Sequence, residues 1–236
     1  SGASVVAMLV LIVFPQAPFV LIPIGALIGA LITMGIVLFI SARSGYQPMI
    51  LLLMGVAVSA VGSAIIQILL VRANLHASQA LTWLAGSTYG TSWSDLVIVM
   101  ITSLLLFPVI LYMANTFEIL SLSDELSIGL GVKTSKMRMF MIILAVMLSS
   151  ISVSVVGAIG FIGLLAPHIA RQLVGPKLLQ LLPLTIVIGG ILLISADFLG
   201  RVVLAPKEIP AGIIVSLIGA PYLLYLLKKT NKIKAS

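Results

Sequence analysis

The residues able to carry out acid–base or metal chemistry are few and far apart in this chain. It has six acidic residues, two histidines and no cysteine among 236 residues. Metal sites need several converging ligands, and His168 has no second histidine, cysteine or pair of carboxylates near it in the sequence. The sequence also lacks a G-x-x-x-x-G-K-S/T phosphate loop. We therefore predict no catalytic residue and no metal site.

Asp197 and Arg201 form the clearest candidate pair of interacting charges. They are four residues apart, a spacing that places both side chains on one face of a helix. An ion pair is therefore predicted near one end of an apolar segment. Glu208 follows Lys207 in the next polar stretch, where the sequence favours a loop salt bridge.

Two functions known among membrane proteins, intramembrane proteolysis and ion-coupled transport, need residues that this chain offers only in part. An intramembrane protease would need a histidine facing a nucleophile, and both histidines lie at segment ends. The candidate nucleophiles are Ser149, Ser150, Ser152 and Ser154. An ion-coupled secondary transporter, which is an alternative function for this chain, usually places acidic residues at mid-membrane. Here it would have to use backbone carbonyls and hydroxyls such as those of Ser59 and Ser63.

Long apolar runs must position these residues. Hydrophobic residues make up 61% of the chain and charged residues 8%, against about 25% charged in a soluble domain. Six strongly apolar intervals without Asp, Glu, Lys or Arg are close to or longer than the roughly 20 residues that a helix needs to cross a bilayer. They are residues 1–42, 44–71, 96–117, 139–170, 178–196 and 209–227, of which the first and fourth are long enough for two crossings.

Proline, glycine and polar clusters divide these runs into eight segments. They are residues 3–14, 18–40, 48–71, 94–114, 137–156, 159–173, 181–199 and 212–227. Because the runs are apolar on every face, a membrane β-barrel with alternating polarity is a poor alternative. The predicted fold is an all-α integral membrane protein, a polytopic helical bundle of about eight transmembrane segments forming one domain over residues 1–236.

The distribution of basic residues predicts an orientation, because Lys and Arg collect in cytoplasmic loops. With eight crossings, ten of the 13 basic residues fall on one side and Arg72, Arg201 and Lys207 on the other. This places the C-terminus in the cytoplasm and the loops around Trp83 and Glu208 outside. The net charge of +7 then reflects topology and implies no nucleic-acid partner.

The stretch GAIGFIGLLAPHIARQLVG at residues 157–175 resembles the FecCD-type permeases, the membrane subunits of ATP-binding-cassette importers for iron siderophores, haem and cobalamin. Further matches follow in the order and spacing of that family. They are MGVAVSAVGSAI at 54–65, WLAGSTYGTSW at 83–93, LLPLTIVIGGILLISADFLGR at 181–201 and EIPAGIIVSLIGAPYLLYLL at 208–227. The resemblance covers nearly the whole chain.

The resemblance implies a type II importer permease with ten helices, of which this chain would hold the third to the tenth. It implies a multi-pass protein of a prokaryotic cell membrane. The implied partners are a second permease subunit, two ATP-binding subunits, an extracytoplasmic substrate-binding protein and membrane lipid. No cofactor is implied on the chain itself, since ATP is bound by the partner ATPase.

The resemblance also implies roles for particular residues. A cytoplasmic coupling segment, residues 124–136, would dock on the ATPase, with Asp124, Glu125, Leu126, Gly129, Gly131 and Lys136 as candidates. Ser127 stands where the family usually has alanine. Arg201 would contact carboxylates of the binding protein, for which a planar guanidinium is suited. Candidates for a structural role are Gly160, Gly163, Pro167, His168, Arg171, Asp197, Glu208, Pro210 and Gly212.

Overall fold

A computed structural model describes residues 2–14, 21–44, 47–72 and 77–234. The described part of the chain is helical and contains no strand, which confirms the all-α prediction. The helices are α1 (Gly2–Val13), α2 (Leu21–Ser41), α3 (Pro48–Arg72), α4 (Ala77–Ala85), α5 (Trp93–Tyr112), α6 (Ala114–Ile119), α7 (Asp124–Gly129), α8 (Thr134–Val156), α9 (Ile162–Val174), α10 (Leu178–Val203) and α11 (Ala211–Lys234).

Each of the eight predicted segments corresponds to a helix, namely α1, α2, α3, α5, α8, α9, α10 and α11. Five described helices are long and apolar enough to cross a membrane: α2, α3, α5, α8 and α10. At 1.5 Å per residue the 13 residues of α9 extend about 20 Å, less than the roughly 30 Å of a hydrocarbon core. A count of eight crossings therefore stays a prediction.

The described helices differ from the predicted segments at the start of α9 and in two additional short helices. The segment predicted from residue 159 becomes helical only at Ile162, because Gly157 and Phe161 have φ angles of 73° and 64°, which end a right-handed helix. The short helices α4 and α6 were not predicted, since neither has a long apolar run. The predicted start of the second segment at residue 18 lies outside the described residues.

The first of two compact units comprises residues 1–84 and 91–157. Within it α1 packs against α2 through small side chains, with Ala3, Ala7 and Ala26 buried. A Cβ atom on Gly29 would lie 2.2 Å from the Gly2 carbonyl oxygen, so the two helix backbones are in direct contact there. Small residues allow such close approach of helix backbones in a membrane protein.

The second unit comprises residues 85–90 and 158–236 and contains α9, α10 and α11. Its core consists of Ala196, Ala211 and Val215, against which Phe161 packs from the segment before α9. A Cβ on Gly219 would lie 2.6 Å from the Phe161 Cβ, so a glycine in α11 makes room for that side chain. The chain thus divides into two compact units, and a single permease domain over residues 1–236 stays a prediction.

Candidate functional site

Three parts of the second unit meet where α10 ends: residues 86–90, the last turns of α10, and the loop of residues 204–210. The Gly212 amide donates to the Gly86 carbonyl at 3.0 Å, and the Ile209 amide to the Gly200 carbonyl at 3.0 Å. A Cβ on Gly200 would lie 2.3 Å from the Ile209 carbonyl oxygen. Glycine is therefore needed for these backbones to approach so closely.

These three parts bring together an ion-pair cluster of Thr88, Asp197, Arg201 and Glu208. Arg201 Nε donates to Asp197 Oδ2 at 2.8 Å and Nη2 to Oδ1 at 3.4 Å, which confirms the predicted pair. The Thr88 hydroxyl donates to Asp197 Oδ1. Arg201 Nη1 lies 3.8 Å from Glu208 Oε1, an ion-pair distance that is too long for a hydrogen bond.

The loop after α10 leads into α11 through Pro210, and Gly212 lies in the first turn of α11. The Pro210 carbonyl accepts from the Ile213 amide at 3.0 Å, in the first turn of α11. Lys207 is exposed in the same loop. The Arg201 side chain is 45% exposed, so the cluster presents a guanidinium at the surface of this unit.

The chain is not helical at residues 157–161, between α8 and α9. A Cβ on Gly160 would meet only Ser216 Oγ, at 3.9 Å, and one on Gly163 would meet nothing within 4 Å. Packing within the described chain therefore does not require these two glycines. Pro167 has no amide hydrogen to donate to the Gly163 carbonyl, so one backbone hydrogen bond is missing from the first turns of α9.

His168 belongs to α9 and is half-buried against α11 in the second unit. Its Nε2 lies 2.9 Å from Gln172 Nε2, and its ring meets that of Tyr222 edge-on with centroids 6.4 Å apart. Among the described residues no three His, Cys, Asp or Glu side chains converge as metal ligands. Arg171 is exposed in the last turn of α9, where its carbonyl accepts from the Gly175 amide.

The coupling segment folds as α7 and the start of α8. Ser123 caps α7 through a hydrogen bond from the Leu126 amide at 3.5 Å, and Gly131 turns the chain with a φ of 81°. Ser127 is buried and donates to the Ile119 carbonyl at 2.8 Å, which joins α7 to the end of α6. This contact was not predicted, because the sequence alone gives no reason to place residue 127 next to residue 119.

The outer surface of the coupling segment is apolar at its centre. Leu126, Ile128 and Leu130 are each 60–62% exposed. Glu125 and Lys136 are also exposed, Gly129 ends α7, and Asp124 begins it, although the Asp124 side chain lies outside the described part. Exposed large apolar side chains with charged neighbours are frequent in protein-binding surfaces.

Three of the four serines considered as nucleophiles make local hydrogen bonds in α8. Ser150 donates to the Val146 carbonyl at 2.6 Å, Ser152 to Leu148 at 3.0 Å and Ser154 to Ile151 at 2.8 Å. Such bonds to a residue's own helix are usual for hydroxyls in apolar segments. In α3, Ser63 likewise donates to the Ser59 carbonyl at 2.9 Å.

Comparison with protein families finds one match over almost the whole chain, the FecCD transport family at residues 1–229. The Fe(3+)-citrate import system permease protein YfmE of Bacillus subtilis is 44% identical over 96% of this chain and 68% of its own length. FhuG of B. subtilis, an iron(3+)-hydroxamate import system permease protein, is 39% identical over 89% of this chain and 63% of its own. The chain thus spans about two thirds of these relatives.

Two further similarities agree with this match. FecD of Escherichia coli, a permease protein of an Fe(3+) dicitrate transport system, is 34% identical over 96% of this chain and 70% of its own length. A solved structure of a metal-chelate type ABC transporter in an inward-facing conformation superposes with a TM-score of 0.85 at 27% identity. It covers 97% of this chain and 74% of the other.

Proposed function

The chain belongs to the FecCD transport family, and from this premise we propose that it is the membrane-spanning permease subunit of an ATP-binding-cassette importer. It forms part of a translocation pathway that opens alternately to the two sides of the membrane, and ATP hydrolysis on separate subunits drives the change. The observation that carries this proposal is the family match over residues 1–229, together with five helices able to span a membrane.

The proposed substrate is a ferric chelate. The similar permeases from B. subtilis and E. coli are named for ferric citrate and ferric hydroxamates, and these two ligand chemistries are the first to test. Haem and cobalamin are the other substrates that the sequence resemblance implied. The chain contributes no cofactor chemistry in this proposal, because its role is to enclose the chelate and not to react with it.

The proposed assembly pairs this permease with a second one, two ATP-binding subunits and an extracytoplasmic binding protein in a prokaryotic cell membrane. The coupling segment faces the cytoplasm, where its apolar centre contacts an ATPase. The ion-pair cluster faces outward, as does the loop of residues 204–210. The proposed cytoplasmic C-terminus follows from the ten-to-three division of basic residues.

The ion-coupled alternative gains no support from these similarities. Its expected feature is an ionisable residue at mid-membrane. Asp95 lies in the first turn of α5, and Asp197 lies six residues before the end of α10. The Ser59 and Ser63 groups, on which an ion site would have to depend, belong to a local helix contact.

Uptake into vesicles tests the proposed function. We expect the chain, co-reconstituted with a candidate ATPase and binding protein, to take up radioactive ferric citrate or a ferric hydroxamate only when ATP is present on the cytoplasmic side. Vesicles lacking the ATPase are the control. Uptake driven by a proton or sodium gradient without the ATPase would refute the importer, and uptake of cobalamin alone would refute the ferric substrate.

Arg201→Glu is expected to weaken the binding of the substrate-binding protein at least tenfold, about 1.4 kcal/mol, by replacing an exposed guanidinium with a carboxylate. Surface plasmon resonance on nanodisc-embedded permease measures the affinity, and co-purification checks that the ATPase remains attached. Lys207→Glu makes the same change of charge in the adjacent loop. Equal losses in both variants would mean that overall charge, not a contact of Arg201, governs binding.

A further inference from the structure

The Asp197 carboxylate joins two distant parts of the chain. Its Oδ2 accepts from Arg201 Nε at 2.8 Å, and its Oδ1 accepts from the Thr88 hydroxyl and, at 3.4 Å, from Arg201 Nη2. Thr88 lies 109 residues before Asp197 in the sequence. A single side chain therefore fixes the direction of the Arg201 guanidinium and attaches residues 86–90 to α10.

We propose that Asp197 is a positioning residue, which holds Arg201 and residues 86–90 as one preformed docking surface. This inference rests on the proposed docking role of Arg201. Arginine has several rotatable bonds, and fixing them when a partner binds lowers the affinity. Asp197 holds two guanidinium nitrogens before any partner binds, while the third, Nη1, lies 3.8 Å from Glu208 Oε1, beyond hydrogen-bond distance.

The contact with Thr88 separates this proposal from an ordinary ion pair on a helix surface. Such i,i+4 pairs contribute only a few tenths of a kcal/mol to stability and affect their own helix. Here the same carboxylate also accepts from Thr88, which belongs to residues 86–90. The Gly86 carbonyl of this segment accepts from the Gly212 amide at 3.0 Å, so the segment is attached to α11 as well. Loss of the Asp197 carboxylate should therefore loosen residues 86–90 as well as Arg201.

The test uses three variants of the purified full chain in nanodiscs. Thr88→Val removes the hydroxyl but leaves the ion pair, and Asp197→Asn removes the negative charge. Thr88→Ser keeps a hydroxyl and is the conservative control. Hydrogen–deuterium exchange of residues 86–90 reports positioning without any partner. The dissociation constant of the substrate-binding protein, compared with that of Arg201→Glu, reports docking.

We expect exchange at residues 86–90 to rise about tenfold in Thr88→Val and Asp197→Asn, and docking to weaken about fivefold, with Thr88→Ser within about twofold of the parent. Unchanged exchange in both variants overturns the inference. Weaker docking in Arg201→Glu alone also overturns it and leaves the proposed function intact. If Arg201→Glu docks normally, the docking role is wrong, and the exchange data alone decide whether Asp197 positions this segment.

Discussion

Leu126→Asp is expected to abolish attachment of the ATPase while leaving the permease folded. Leu126 is 60% exposed on α7, so its replacement removes little internal packing. In the proposed complex it enters an apolar groove of the partner. Burial of a leucine side chain is worth about 1.5–3 kcal/mol, and an unpaired carboxylate in its place adds a further penalty.

Together these terms predict a loss of affinity of at least about a hundredfold, or about 2.7 kcal/mol. Co-purification of the ATPase with the tagged permease measures the loss, and ATP-driven uptake should disappear with it. Leu204→Asp is the matched control, because Leu204 is 56% exposed in the loop after α10. ATPase binding that survives in Leu126→Asp, or is lost equally in both variants, would contradict the role of the coupling segment.

The sequence was sufficient to predict the long helices. Their apolar runs are too long for the surface of a soluble protein, and breaks at proline and glycine divide these runs into segments. All eight predicted segments correspond to helices. The short helices α4 and α6 could not be predicted in the same way. Helices this short depend on packing more than on their own sequence pattern, as the buried Phe117 of α6 illustrates.

The candidate site was predictable only where its contacts are local. The i,i+4 spacing of Asp197 and Arg201 was enough to predict their ion pair. Thr88 could not be connected with Asp197, because nothing in a single sequence indicates which residues 109 positions apart will meet. Ser127 was noted only as a departure from the usual alanine, and its bond to Ile119 depends on how α6 and α7 turn against each other.

Gly212 shows the same limit, since the sequence predicts it only as the start of an apolar segment and not as a close contact between backbones. A Cβ on Gly212 would lie 2.0 Å from the Ala85 carbonyl oxygen and 3.3 Å from that of Gly86. These neighbours are backbone atoms, so they cannot turn aside as the end of a flexible side chain would. The Gly212 amide also donates to Gly86, and this bond fixes the separation.

Gly212→Ala is therefore expected to destabilise the chain by about 3 kcal/mol or more, because the methyl group must push residues 85–86 away and break that hydrogen bond. Fluorescence-detected size exclusion and thermal unfolding in detergent measure the loss. Gly163→Ala is the control, since its Cβ would meet nothing within 4 Å and alanine favours a helix. Equal stability of the two variants would show that the segment at Ala85 can move aside. In that case residues 86–90 would be held mainly by Thr88 and Asp197, and only variants of those two residues would release them.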